Sequence, residues 1–436
     1  MSSLTKVKNI LRVKLKYQLT GRIRMVGAFR YAYDHVYDIA DPNKVNPRPE
    51  LRELGIPRIQ DPNAISPAGK ELIFGVPEEA KEEIEIKELY IDALFEDVDI
   101  RIGRQLVFWG VSDFRITDDI NPINFREFIL RDIEDLRIPL WMGKMDYYYG
   151  DNNIELLLIP DIKFHEPALN GSEFEFFRRL PDDKVPETNI NNTEWGVKIG
   201  GIKRGIEWSI NILSVFDDFP SAFRLLRTDI LCTNQATVST VIFSPRHPRL
   251  TISGGSFRGI LNRFVISGEA AYITGKYFGI DPGIKDCEDI ANAGSRLIEF
   301  NRILGELQKD YVKGAIGTAF SVMGADIAIQ LWQQYILNYD ERIMEDGYQV
   351  SFSLFFRRPF YKERYIPQAL VLYFVNGAQF LYRPKISYRY SDDIKFTIGM
   401  DIFAGKEGDR NRPGNLNFLG QFNNRDRVYM EIQYSF

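Results

Sequence analysis

Three histidines, His35, His165 and His247, stand far apart in a chain of 436 residues. The sequence holds no Gly-x-Ser-x-Gly elbow, no His-Glu-x-x-His pair, no phosphate-binding glycine loop and no Cys-x-x-Cys. Nothing in it assembles a nucleophile, a base and an orienting group, so covalent catalysis and a protein metal site find no support, and no cofactor is expected. What recurs instead is positive charge at alternate positions. Arg12, Lys14 and Lys16 form one such row, Arg22, Arg24 and Arg30 a second, and Arg383, Lys385, Arg389 and Lys395 a third, with Arg101 and Arg357 between them. Alternate side chains of an extended chain share one face, so each row is a strip of fixed cations. Such strips favour anions along a low-dielectric wall without any bond being made or broken. Acidic residues on the same alternating faces are fewer: Asp92, Glu207, Glu269, Asp401 and Glu431. A second reading pairs the cations with carboxylates on loops folded inward, and both stay open.

The elements that carry these rows are strands. Val428, Met430, Ile432, Tyr434 and Phe436 alternate with Arg427, Tyr429, Glu431, Gln433 and Ser435. The same period of two runs through residues 9–19, 22–33, 382–390 and 394–402. It recurs near 88–96, 98–109, 138–149, 153–160, 193–202, 206–215, 249–258, 263–275, 311–321, 326–337, 348–358 and 366–375. That gives roughly seventeen segments, several of the length that crosses a bilayer when tilted. No run of apolar residues is long enough for a transmembrane helix. A net charge of -5 gives no sign of a nucleic-acid binder.

Alternation alone also fits a soluble sandwich. Three features favour a membrane barrel. Tight connections, such as Lys203-Arg204-Gly205 and Met323-Gly324-Ala325, alternate with long ones near 36–84, 110–137, 161–192, 216–248, 276–309 and 405–426. Aromatic residues gather at strand ends, as in Tyr147-Tyr148-Tyr149 and Phe360-Tyr361. The sequence stops on Phe436, on the apolar face, like the terminal signal that bacterial barrel-insertion machinery reads. The expectation is all-β: one transmembrane antiparallel up-and-down β-barrel over residues 1–436, with short periplasmic turns and long extracellular loops. Barrels of this kind hold even strand numbers, so eighteen strands are preferred and sixteen are the alternative. The N-terminal residues lack the apolar core of a secretory signal, which an exported chain would have lost. On closure the first and last strands would meet, joining the basic rows of 12–30 and 383–395 on one wall.

Two loop features go further. Leu297, Phe300, Leu304 and Leu307 recur at helical spacing, which predicts a helix over 288–308. Residues 111–137, mixing acids and bases, suit a loop folded inward. Cys232 and Cys287 fall in successive long loops on the same predicted side, where an oxidising compartment would allow a disulfide.

The stretch Gly103-Arg104-Gln105-Leu106-Val107-Phe108-Trp109-Gly110, followed by Asp119-Ile120-Asn121-Pro122, resembles bacterial outer-membrane proteins grouped as domain of unknown function 1302. Ile138-Pro139-Leu140-Trp141, Ile159-Pro160 and Ser267-Gly268-Glu269-Ala270-Ala271-Tyr272 look like further landmarks of that family. The chain departs from the pattern at Phe108, Val111-Ser112 and Ser267. The alginate-export porins are a more distant analogy of size and architecture. The resemblance implies a porin or exporter in outer-membrane lipid and says little about the solute. Read from its own residues, the motif is structural: Gly103 lets a neighbouring side chain cross the strand and Trp109-Gly110 ends it at the interface. The leading expectation is an outer-membrane channel for small polar or anionic organic solutes through a basic lumen. A plugged barrel, for lipophilic compounds or assembly with a partner, and a soluble secreted β protein are the alternatives. The oligomeric state is not legible.

Overall fold

A computed structural model describes residues 4–39, 81–112, 116–168, 174, 184–228, 239–281, 294–406, 417–423 and 425–436. Seventeen strands form one large antiparallel sheet. They are β1 (Lys8–Gln18), β2 (Ile23–Asp34), β3 (Glu82–Leu94), β4 (Val98–Gln105), β5 (Leu140–Tyr149) and β6 (Asn152–Ile159). Then come β7 (Glu194–Lys203), β8 (Ile206–Phe216), β9 (Arg249–Leu261), β10 (Phe264–Thr274), β11 (Tyr311–Val322) and β12 (Ala325–Ile336). The last are β13 (Tyr348–Arg357), β14 (Tyr365–Phe374), β15 (Gln379–Arg389), β16 (Ile394–Ala404) and β17 (Arg427–Tyr434). Each of the seventeen coincides with one segment of alternating sequence. The count is one below the eighteen that parity favours.

The chain divides into two compact units. The first comprises residues 1–107, 121–147 and 157–179, and the second comprises 108–120, 148–156 and 180–436. In the first, β1 pairs with β2 from Lys8 opposite Asp34 to Gln18 opposite Arg24. β3 follows β2 across a bulge at Ala28 and Phe29, and β4 and β5 continue the ladder. Gly103 in β4 has a φ of +138°, and a Cβ there would stand 2.2 Å from the Leu89 carbonyl oxygen. The glycine therefore admits the neighbouring backbone, where a crossing side chain was expected.

In the second unit β7 to β17 pair in chain order, each with the next. Two of the hairpins close with two residues at positive φ, Arg204-Gly205 (54° and 78°) and Met323-Gly324 (51° and 75°). That mirror-image turn matches the twist of the flanking strands, and glycine supplies its second position without steric cost.

The faces of the sheet are inverted relative to a water-soluble sheet. The polar side is covered: Asp401 is 0% exposed, and Ser387, Thr397, Asn211 and Glu269 are buried. The apolar side is bare, with Val428 at 65%, Met430 at 81% and Ile432 at 72%, and Ile398, Ile316 and Ile210 likewise exposed. The first unit repeats this in Leu15, Tyr17, Ile84 and Ile102, all exposed, against buried Arg30 and Asp92. Antiparallel sheets in water cover their apolar face, whereas strands facing hydrocarbon present it outward.

Small elements fill the long connections of the second unit. Arg224–Thr228 pairs with Ser239–Phe243, and Tyr277–Gly279 pairs with Glu306–Gln308. A helix spans Gly294–Arg302. The helix expected over 288–308 is thus shorter. Leu304 and Gly305 take positive φ, the Gly305 N–H donates to the Phe300 carbonyl at 2.9 Å, and the chain continues as strand. Residues 288–293 lie outside the described residues.

Candidate functional site

The basic rows stand on the polar face, and carboxylates meet most of them. In the first unit Asp92 lies between Arg24 and Arg101, at 2.5 Å from each, on three adjacent strands. The second unit repeats the device: Asp401 lies between Arg383 at 2.6 Å and Arg427 at 2.5 Å. The sequence explains both, because register sets Arg24 opposite Asp92 and Asp92 opposite Arg101, and sets Asp401 opposite Arg427. Directly opposed residues of antiparallel strands share a face, so opposite charges there are in reach. Each triad carries two cations and one anion.

Lys14 meets Glu88, Arg357 meets Asp326 at 3.1 Å and Arg389 meets Glu363 at 3.6 Å. Arg12 and Arg30 are taken up by a loop. Asp135 accepts from Arg12 and lies 3.1 Å from Arg30, while Glu83 reaches Arg30 and Arg131, each at 2.7 Å. Glu127 gathers Lys8 at 2.7 Å, Lys6 at 3.2 Å and Arg131 at 3.5 Å. Burial pushes the Glu127 carboxyl up, but these cations outweigh it and hold it well below the usual carboxylate range. Asp135 is lowered in the same way, against its burial, by Arg12 and Arg30. Residues 124–137 are therefore clasped to the polar side of β1 to β3. Among the described residues Lys16, Arg22, Lys385 and Lys395 have no carboxylate partner. Each of them lies within six residues of a tight turn, Lys16 and Arg22 at 19–22, Lys385 and Lys395 at 390–393.

A second anchoring involves one carboxylate. Glu269, in β10 and 5% exposed, accepts from the Val111 N–H at 2.9 Å and the Ser112 N–H at 3.0 Å through Oε2. Its Oε1 accepts from the Thr117 N–H at 2.7 Å and the Thr117 hydroxyl at 2.6 Å. Asn211 donates to the Thr117 carbonyl and Arg258 to the Val111 carbonyl, each at 3.3 Å. At Gly110 a Cβ would stand 2.7 Å from Glu269 Oε1, so any larger residue would push the carboxylate aside. Trp109 is buried rather than interfacial: its Nε1 donates to Glu155 at 2.7 Å, and Lys198 pairs with Glu155 at 2.9 Å. Gly196 leaves room for the indole, and Gly254 for the Thr117 methyl.

The landmarks of the sequence thus meet in space. Trp-Gly at 109–110 and Ser-Gly-Glu at 267–269 are two sides of one contact in the second unit. In the first unit Asn121 accepts from the Val107 N–H at 2.9 Å and donates to the Ile138 carbonyl at 3.0 Å. It ties the exit of β4 to the entry of β5. The family described as "Protein of unknown function (DUF1302)" matches residues 3–316. The chain belongs to that family. Comparison with curated proteins gives no match. Similar solved structures include OccAB2 of Acinetobacter baumannii, with 9% identity, 98% of this chain and 91% of that chain covered, and a TM-score of 0.49. OccAB3 of the same organism has 7% identity, 98% and 92% coverage and a TM-score of 0.48. Pseudomonas aeruginosa OpdK with vanillate has 6% identity, 98% and 92% coverage and a TM-score of 0.46. At these scores the likeness bears no weight for function.

This DUF1302 chain has a third cluster, in the loops of its second unit. Arg224 donates to the Ile280 carbonyl at 2.9 Å and sits 5.6 Å from the Phe300 ring centre. Beside it Glu306 is 5% exposed, and burial pushes its carboxyl up to about 7 although Arg224 opposes the shift. Lys276 holds Asp217 at 2.5 Å. The histidines are structural. His165 Nδ1 accepts from the Ile123 N–H, His247 Nδ1 contacts the Asp217 carbonyl, and His35 contacts Asn9. Cys232 and Cys287 lie outside the described residues, so the expected disulfide has no structural account. The sequence did not single out Asp135 or Glu127, since loop acids carry no periodicity, nor did it single out Glu155 on β6.

Proposed function

We propose that this protein is an outer-membrane β-barrel channel that passes small polar or anionic organic solutes. The observation that carries the reading is the inverted sheet. Its exposed apolar band needs a lipid surround, and its polar face is left to an interior. Solute would cross by electrostatic selection and steric filtering, with no covalent step. Among the described residues Lys16, Arg22, Lys385 and Lys395 meet no carboxylate, and they are the cations from which a preference for anions is read.

The test is single-channel recording from the refolded chain in a planar bilayer with a salt gradient. Open steps with a reversal potential on the anion side are expected. Replacing Lys16, Arg22, Lys385 and Lys395 together by Gln should move that potential towards zero. Steps without ion preference would leave a channel and remove the charge argument. Inserted protein that stays silent would favour the plugged barrel, and a chain soluble without detergent would end the membrane reading.

A further inference from the structure

We infer that Glu269 is the positioning residue that fixes the open width of the channel, by holding the two stretches 110–112 and 116–118 flat against the sheet. The inference rests on the channel reading. Its basis is a division of labour seen at no other carboxylate described above. The side chains of Asp92 and Asp401 neutralise arginines that belong to the wall itself. Among the described residues Glu269 meets no cation, and its four contacts come from the segment after Trp109, three from backbone N–H groups and one from a hydroxyl.

Charged acceptors bind N–H donors more strongly than neutral ones do, and burial excludes competing water. The segment itself supplies few alternatives, because the donors at 111, 112 and 117 converge on this one group. The surroundings are shaped to receive it. Gly110 lets the backbone come within reach of the carboxylate, Gly254 accepts the Thr117 methyl, and Asn211 takes the Thr117 carbonyl. Trp109, locked to Glu155 on β6, fixes where the segment leaves the wall. These contacts put backbone of 110–112 and 116–118 over the polar face of β8 to β10. Chain held there subtracts from the open cross-section, and chain released from there can move. Ser112, half-buried beside the carboxylate, reports which state holds.

The experiment uses the full chain with Cys232→Ser, Cys287→Ser and Ser112→Cys, refolded and checked by its shift in mobility on heating. Glu269→Ala, Glu269→Gln and Thr117→Val are compared with the parent in two readouts. One is maleimide labelling of the introduced thiol, and the other is single-channel step size. Labelling should quicken by at least about tenfold in Glu269→Ala, the factor that corresponds to about 1.4 kcal/mol. Glu269→Gln, which keeps one acceptor oxygen, should fall between, and Thr117→Val should show the smallest change. Step size should rise in the same order. Folded Glu269→Ala that labels and conducts like the parent would overturn the inference while leaving the channel reading intact. Faster labelling with no steps from any variant, parent included, would remove the channel and with it the assigned consequence. Should Glu269→Ala fail to fold, Gly110→Ala carries the test, since its methyl group would displace the same carboxylate and should quicken labelling; an unchanged rate there would overturn the inference.

Discussion

Two stretches of one long connection are fastened to the sheet by different physics. Residues 124–137 of the first unit are held by an ion-pair lattice: Glu83, Glu127 and Asp135 are shared among Lys6, Lys8, Arg12, Arg30 and Arg131. Val111, Ser112 and Thr117 of the second unit are held through their backbone N–H groups by one carboxylate, Glu269. In the lattice each carboxylate has more than one cation, so the cost of desolvating it is spread, and losing one carboxylate leaves several cations short of a partner. The Glu269 contact has a single point of failure and strands nothing charged when it goes. One fastening is built for strength and the other for a defined position.

The largest break in this comparison should come from Glu83→Ala. It leaves Arg30, 2% exposed, and Arg131 short of a partner, and stranding a buried charge costs about 3–5 kcal/mol. The measurement is the urea midpoint for loss of the folded, heat-modifiable form; a change within error would mean water reaches the lattice freely.

Next comes pH, which should separate the loops by sign. Glu306 is raised in the folded chain, so the folded state binds its proton more tightly and stability falls as pH rises from about 4.5 to about 7. The full effect is on the order of 3 kcal/mol. Hydrogen-exchange protection of residues 222–224 and 304–308, corrected for the intrinsic rate, should fall over that range, and Glu306→Gln should flatten the profile. Glu127 and Asp135 are lowered, so their contribution is complete above the ordinary carboxylate range and is lost only as pH falls below it. Hydrogen-exchange protection in residues 124–137, corrected for the intrinsic rate, should therefore fall on acidification alone. The same direction at both places would contradict the assignment.

A smaller effect is expected of Glu269→Gln on global stability, about 1–2 kcal/mol, the difference between charged and neutral hydrogen bonds at this site. Its urea midpoint should move less than that of Glu83→Ala, and an equal shift would erase the contrast. Smallest is the effect of salt. Raising ionic strength to about 1 M shortens the Debye length to about 3 Å and weakens exposed pairs such as Arg342–Glu299 by less than about 1 kcal/mol. Exchange at Val111, Ser112 and Thr117 should not respond, because their partner is buried.

Strand positions were legible because period two is a local signal: Val428 to Phe436 alternates whatever surrounds it. The basic rows at Arg12–Arg30 and Arg383–Lys395 were legible as sharing the polar face for the same reason. Their neutralisation was not. Asp92 and Asp401 could be placed on the same face, but the loop acids that take Arg12 and Arg30 have no period to betray them. Trp109 misled, because an aromatic at a strand end looks alike whether it faces lipid or donates to a buried Glu155. The helix over 288–308 was overread, since an apolar stripe does not announce the positive φ at Leu304 and Gly305 that ends it.

The sequence by itself determined the all-β class and where the strands lie along the chain, since these follow from alternation along a single strand. Tertiary structure alone decided which charges survive unpaired and that Gly110 meets Glu269 across more than one hundred and fifty residues. Such contacts depend on register and loop path summed over many strands, and no local pattern encodes that sum.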